Sequence, residues 1–173
     1  MKRSTPIRTY SDVVDATIFS IDVSVAKARN VVFFSGQNRL HEDLPQVPMG
    51  MAVTNRTISF AAQPFYPAGI DGTAQGPFFP LYVNDVVTPC RQGGQAPNLN
   101  QSGSVFFPGS MPLYKIGELV GGFGVSGDGV EQDDLVAAAG ATRLASPAIG
   151  ADQIVVRGVR LPFLKFPRNP FDR

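Results

Sequence analysis

The stretch GGFGVSGDGVEQDD, residues 121–134, contains the residue types of two known kinds of chemical site. Gly122, Gly124 and Gly127 have the G-x-G-x-x-G spacing of a dinucleotide-binding loop, in which backbone N–H groups closely approach a pyrophosphate. The overlapping residues 124–128 nearly match the G-x-S-x-G turn of a hydrolase nucleophile, except that aspartate replaces the second glycine. The two chemistries exclude each other, so the surrounding elements must decide.

Those surrounding elements argue against both chemistries. Residues 111–116 and 118–127 are predicted strands joined by a tight reversal, which favours an antiparallel pair over the parallel βαβ unit of a dinucleotide site. The helix predicted over 130–141 begins among four carboxylates, which would repel a phosphate and which suit the helix dipole themselves. They are Asp128, Glu131, Asp133 and Asp134. We therefore interpret the glycine stretch as a strand-to-helix corner, with Ser126 as a cap or turn hydroxyl.

Nucleophilic and metal chemistry is limited by a shortage of suitable residues. The chain has one histidine, His41, and one cysteine, Cys90, so an internal disulfide and a standard one-chain structural zinc site are excluded. A Ser/His/Asp or Cys/His catalytic system would have to use His41, which lies in the polar stretch NRLHEDLP and is interpreted as a solvated residue. With no recognisable acid–base pair, a protein without enzymatic activity is favoured over an enzyme.

Length and composition predict a single globular domain over 1–173. The chain is 43% hydrophobic and 17% charged, and 173 residues are enough to bury one core. Its net charge is +1, with basic ends and an acidic middle, and it has no Lys/Arg-rich run of the nucleic-acid-binding kind. No apolar run approaches the roughly 20 residues that span a bilayer. The start MKRSTPIRTY lacks the apolar region of a signal peptide, so a cytoplasmic location is the default expectation.

Hydrophobic periodicity places the remaining elements. Apolar residues recur every three or four positions from 15 to 34, which predicts a helix, and a short helix capped by its first residue is predicted over 54–62. Residues 63–104 are rich in Pro, Gly, Asn and Gln, which indicates a long loop or insertion with some periodicity around PLYVNDVV. Residues 104–109 predict another strand, and 143–173 an extended tail.

Two of these stretches resemble one known family. FSIDVSVAKARNVVFF, residues 19–34, is similar to the helix of GlcG/HbpS-like haem-degrading domains, in which an Ala-x-x-Lys-Ala core precedes an aromatic end. FFPGSMPLYKIGELVGGFGVSGDGVEQDDLVAAAGA, residues 106–141, resembles the hallmark of that family: a PGG-x-P turn, a hairpin, a GxxGVSG stretch, an acid-rich turn and an Ala-rich helix. Residues 54–72 and 157–170 resemble a subgroup of haem-binding proteins with a longer central insertion and tail.

The resemblance implies a fold and a ligand. The fold would be α/β of the α+β type, an antiparallel sheet flanked by helices as in profilin, and the domain would form homo-oligomers. The function would be haem binding, in some members with iron- and peroxide-dependent degradation or with sensing through a partner kinase. Degradation of this kind requires no protein nucleophile.

The resemblance also implies a set of residues that contact haem. His41 is the candidate axial ligand, and the other expected contacts are Phe107, Pro108, Gly109, Ser110, Ser126 and Gly127. The alternative axial donors, left open here, are Cys90, Met49, Met51, Met111, Tyr66, Tyr82 and Tyr114. Arg157, Arg160 and Arg168 could pair with the haem propionates, but are expected to pair with acidic residues of a neighbouring subunit.

One departure from the family bears on assembly. The family domain normally begins with a helix and a β-hairpin ahead of its Lys-Ala helix, and residues 1–14 do not supply them. Either the chain is an N-terminally shortened version, or the missing strands are supplied by another chain, which would leave a sheet edge to be paired. We expect obligate oligomers, which a monomer at micromolar concentration would contradict. The alternative function is an oligomeric structural or interaction module that retains the fold without a cofactor; an enzyme of hydroxy-acid metabolism would lack an acid–base pair.

Overall fold

The computed structural model describes residues 17–99, 102–127, 129–144 and 150–165. In chain order the helices and strands are α1 (Ser20–Ser35), α2 (Asn55–Ala61), α3 (Phe79–Val87), β1 (Ser110–Lys115), β2 (Glu118–Gly124), α4 (Val130–Gly140), β3 (Val155–Val156) and β4 (Val159–Arg160). Short 3₁₀ turns occupy His41–Asp43 and Ala151–Gln153. The fold is therefore mixed, with helices around small antiparallel sheets, and the expected α+β class is confirmed.

The helices begin and end close to where the sequence predicts. The predicted 15–34 helix is α1, which starts five residues later, and the predicted 130–141 helix is α4. In α2 the Thr54 hydroxyl accepts a hydrogen bond from the Thr57 N–H at 3.3 Å, while the Thr57 hydroxyl accepts one from the Thr54 N–H at 3.2 Å. This reciprocal capping satisfies two backbone donors at the helix start, and confirms Thr54 as the cap.

Strands β1 and β2 form the predicted antiparallel hairpin. Their register runs from Ser110 opposite Gly124 to Lys115 opposite Glu118, with one irregularity in the middle. The two turn residues, Ile116 and Gly117, have positive φ values of 53° and 78°. A turn of this kind matches the twist of the two strands it connects.

The prediction of a strand over residues 104–109 is wrong. This segment is irregular, because its backbone groups bond to side chains from α1 and α2 rather than to a neighbouring strand. Pro108 also has no N–H group to donate, and Gly109 has a φ of 111° that extended strands do not adopt.

Helix α1 lies directly on the face of the hairpin, and two glycines of β2 make this close approach possible. A Cβ atom at Gly122 would collide with the Ala28 carbonyl oxygen, and one at Gly124 would collide with the Ser24 carbonyl oxygen. Helices α2 and α4 pack against β1. The largest apolar side chains that are fully buried come from all along the chain: Val31, Phe34, Leu44, Val53, Ile58, Phe78, Val156 and Leu161.

Two predicted irregular regions contain more structure than expected. In the 63–104 region, α3 occupies the stretch where some periodicity was noted. The tail predicted over 143–173 is not simply extended, because its described part contains the β3–β4 hairpin and buries Leu161 and Phe163 in the core. Within the described residues, no helix has the length and apolar character needed to cross a membrane.

Candidate functional site

The acid-rich turn at the start of α4 is part of a buried network of charges. Asp133 and Asp134 are both almost completely buried, which the sequence analysis did not anticipate. Lys27 of α1, only 1% exposed, donates from its Nζ to Asp133 Oδ2 at 2.8 Å and to the Val125 carbonyl oxygen at 2.7 Å. These bonds connect α1, the end of β2 and α4 at a single point.

Asp134 is the second centre of the network. Its Oδ2 accepts from Arg56 Nε at 2.8 Å and from the Lys165 backbone N–H at 2.9 Å, while its Oδ1 accepts from the Gly109 N–H at 3.3 Å. Glu131 extends the network toward solvent, with Oε2 3.2 Å from Arg56 Nη2 and 2.7 Å from Lys165 Nζ. Every described carboxylate of the turn is therefore engaged with a cation or an N–H group of the chain itself.

Burial determines the direction in which the Lys27 pKa moves. Removal from water lowers the pKa of Lys27, and the hydrogen bond and charge of Asp133, with the charge of Asp134, oppose that shift. The two acceptors observed for the amine, Asp133 Oδ2 and the Val125 carbonyl oxygen, both belong to the chain itself. It therefore holds the fold together rather than presenting a nucleophile to a ligand.

A second polar network holds the segment that precedes β1. The Val105 carbonyl oxygen accepts from Asn30 Nδ2 and from Asn55 Nδ2, each at 2.8 Å. Gln92 Nε2 fixes the Asn30 amide by donating to its Oδ1 at 2.7 Å. On the other side of the segment the Asn55 N–H donates to the Ser110 hydroxyl at 2.9 Å.

Between the two networks, Phe107 and Pro108 form an apolar turn on the surface, which we call the apex. Residues 105 and 109–110 are fixed by the hydrogen bonds just described, whereas Phe107 between them is 57% exposed and Pro108 is half-buried. A backbone that is already held at both sides need not be ordered when a ligand binds, which lowers that part of the entropic cost. This apex is a suitable contact for a flat apolar molecule.

The structure groups most of the expected haem-contacting residues around this corner. Gly109 and Ser110 lie beside the end of β2, where the Val125 N–H donates to the Gly109 carbonyl oxygen at 2.8 Å. Both residues are buried, while Ser126 is half-buried and Gly127 is exposed. Helix α4 has Gly129 as its N-cap and no side-chain cap, so Ser126 is not the cap of that helix.

His41 belongs to a separate turn of the chain. It is exposed in a 3₁₀ turn whose Asp43 accepts from the Leu40 N–H at 2.9 Å and from the Gly94 N–H at 2.8 Å. No hydrogen bond shown by the described residues connects this turn to residues 107–110. The other possible axial donors differ in exposure. Tyr82 is 48% exposed, whereas four of them are buried: Met51, Met111, Tyr66 and Tyr114. Cys90 and Met49 are half-buried.

The sequence did not indicate which cations bind the carboxylates of the acid-rich turn. Lys27, Arg56 and Lys165 are far apart in sequence from the carboxylates that they bind. One weak signal was present: Lys27 stands between two alanines within the predicted helix, and an amine that is buried there must find an acceptor. Among the described residues, no group of three or more His, Cys, Asp or Glu side chains is arranged to hold a metal ion.

The fold and the site define a small α+β domain in which a long helix covers a glycine-rich hairpin and an ionic network fixes the strand-to-helix corner. The model of one protein family, described as haem degrading protein HbpS-like, matches residues 7–142. The chain belongs to this family, which confirms the resemblance seen in the sequence. Neither a comparison with curated proteins nor one with solved structures finds a match.

Proposed function

We propose that this protein binds haem on the surface around Phe107. The match to the HbpS-like family over residues 7–142 carries this proposal. The geometry supports it, because the 105–110 segment presents an exposed phenyl ring on a backbone held by side chains of α1 and α2. A haem macrocycle is flat and largely apolar, and an exposed aromatic side chain offers it a stacking or edge contact.

The chain's own residues would bind and orient the macrocycle. Phe107 and Pro108 would supply apolar contacts to the macrocycle, and the exposed backbone at Gly127 is a further expected contact. Haem, when bound, supplies redox-active iron, and any degradation of the macrocycle draws its oxidative chemistry from that iron and peroxide. Lys27, Asp133 and Asp134 contribute indirectly, because they fix the corner to which the binding segment is attached.

A haem titration tests the proposal. We expect stoichiometric haem to shift the Soret band of the purified protein, and Phe107→Ser to weaken binding about ten- to a hundredfold, since a buried phenylalanine contributes about 1.5–3 kcal/mol. Phe65→Ser is the matched control, because Phe65 is similarly exposed on a different loop. Phe65→Ser should bind haem as the unaltered protein does. Absence of a Soret shift with the unaltered protein would refute haem binding.

An oligomeric interaction module is a second candidate function, favoured by the free edge of β2. Within the described residues β2 pairs with β1 alone, and its other edge makes no backbone hydrogen bond to another segment. Ile116 at the hairpin tip is 95% exposed, and Val120 on β2 is also exposed. An open edge with apolar side chains is suited to pairing with a second copy.

Light scattering at micromolar concentration tests this second function. We expect the unaltered protein to be oligomeric and Val120→Lys to reduce its mass, because a lysine on an edge strand opposes pairing. Val155→Lys, on the exposed side of β3, is the control and should leave the mass unchanged. A monomeric unaltered protein would contradict assembly through β2.

A further inference from the structure

Helix α3 is amphipathic, but most of its apolar side faces solvent, with Phe79 half-buried at its start. Phe79, Tyr82, Val83 and Val86 have the i, i+3, i+4, i+7 spacing of one helix face. Tyr82 and Val83 are exposed, and Val86 is 66% exposed, whereas Leu81 on the opposite side is buried. A face of this kind normally packs on a core, so its exposure indicates a binding surface.

This helix face is continuous with the segment that carries Phe107. The rings of Phe79 and Tyr82 have centroids 5.9 Å apart, and Tyr82 meets Phe106 edge-on, also at 5.9 Å. Phe106 directly precedes Phe107 and belongs to the segment fixed by Asn30 and Asn55. We call the four α3 residues together with Phe106 the aromatic face.

We propose that the aromatic face is the surface on which the haem macrocycle lies, and that the phenol oxygen of Tyr82 is the axial ligand of its iron. This inference rests on the proposed function and goes further by extending the surface around Phe107 onto α3 and by assigning the axial ligand. Tyrosine is an established axial ligand of haem iron. The axial ligand expected from the sequence, His41, would then have no role in binding.

The accessibility of the possible donors favours Tyr82. An axial donor must reach an iron atom at the centre of a flat ligand, so it must be exposed and surrounded by apolar groups that the macrocycle can cover. Tyr66 and Tyr114 are buried, as are Met51 and Met111. His41 is exposed, but Glu42 and Asp43 follow it directly, whereas Tyr82 has Phe79, Val83 and Val86 on its own face.

The size and charge of the aromatic face suit a small ligand better than a second protein. A stable protein interface uses about 20–30 residues on each side. The aromatic face has five residues, on a helix of three turns or fewer. The acidic residue of α3, Asp85, accepts from the Ser104 N–H on the inner side of the helix, so no charge interrupts the apolar face.

Two substitutions of exposed residues test the assignment. Tyr82→Phe keeps the ring contacts and removes only the hydroxyl, so we expect haem to bind within about tenfold of the unaltered protein, while the phenolate-to-iron charge-transfer band and the phenolate resonance Raman modes disappear. Val86→Lys should weaken haem binding more than about tenfold, because the macrocycle would have to cover an ammonium group. His41→Ala and Val136→Lys, the latter on the exposed side of α4, should change neither the spectrum nor the affinity.

The outcomes separate this inference from the proposed function. If the unaltered protein gives no Soret shift, haem binding fails and this assignment fails with it. If the protein binds haem but Tyr82→Phe keeps the unaltered spectrum, or His41→Ala removes it, the axial assignment is overturned. If haem binds and Val86→Lys leaves the affinity unchanged, the surface is wrong. A smaller mass of Val86→Lys in light scattering, with haem affinity unchanged, would identify the aromatic face as a contact between copies instead.

Discussion

Replacement of Lys27 by methionine is expected to lower the free energy of unfolding by about 3–5 kcal/mol, because it leaves the buried Asp133 carboxylate without its cation. Methionine has nearly the length of lysine and cannot donate to Asp133 Oδ2 or to the Val125 carbonyl oxygen. The Asp133 carboxylate is buried and would lose its donor without gaining water. Urea unfolding, followed by far-UV circular dichroism, measures the change.

Two further variants test the cause of that loss. Arg29→Met removes a cation from the same helix at a half-buried position, and should change the stability by less than about 0.5–1 kcal/mol. Lys27→Met combined with Asp133→Leu removes the charge from both sides, and should recover much of the loss since a buried ion pair replaced by apolar groups is often neutral. A Lys27→Met variant as stable as Arg29→Met would show that the pair contributes nothing to stability.

Replacement of Gly124 by alanine is expected to destabilise the protein by about 1–3 kcal/mol or more, the cost of overpacking a close contact. The added methyl group would collide with the Ser24 carbonyl oxygen and lie 2.8 Å from the Ala28 nitrogen. Both atoms belong to the backbone of α1, which cannot rotate away as a side chain could. The helix would have to move off the hairpin, and the loss is measured by the midpoint of urea unfolding.

Gly121 is the matched control for this prediction. It lies three residues earlier in the same strand, and a Cβ atom there would have no atom within 4 Å. Gly121→Ala should therefore leave stability unchanged or raise it slightly, because a strand glycine is entropically unfavourable. Equal losses in the two variants would mean that the glycines matter for chain conformation and not for contact with α1.

These contacts explain the glycine spacing that resembles two catalytic motifs. Gly122 and Gly124 face α1, and the carboxylates that follow are used within the chain by Lys27 and Arg56. A pyrophosphate at this corner would be repelled by the carboxylates of Asp133 and Asp134. Their oxygens already accept hydrogen bonds from Lys27 and from the Gly109 N–H. The motif thus serves helix–strand packing, which is why it identifies a family without identifying a reaction.

Much of the secondary structure could be predicted because its signals are local. The 3.6-residue rhythm of α1, the Thr54 cap of α2 and the short reversal between β1 and β2 each depend on a few neighbouring residues. The family was also recognisable from contiguous residues, since the hairpin, the glycines and the acidic turn occur together over 106–141. The expected haem contacts and the expected oligomer remain predictions.

The predictions that failed concern segments whose structure depends on residues far away in the sequence. Residues 104–109 have the composition of a strand, yet the Val105 carbonyl oxygen accepts from Asn30 and Asn55, which lie 75 and 50 positions away. Helix α3 was apparent only as a weak periodicity, and no local rule could tell that its apolar face points away from the core. Local propensity is overridden wherever a more distant partner satisfies the backbone better.

Periodicity, caps and turn chemistry were sufficient to predict three of the helices and the β1–β2 hairpin, and the contiguous residues 106–141 resemble the HbpS-like family. Which charges are buried depends on tertiary packing, since Lys27 and Asp133 are 106 positions apart and meet at 2.8 Å. Tertiary packing also decides that Tyr82, Val83 and Val86 of the aromatic face are exposed, while its other two residues are half-buried. The physical reason is that burial and ion pairing depend on long-range packing, whereas the patterns read in a sequence report short-range preferences.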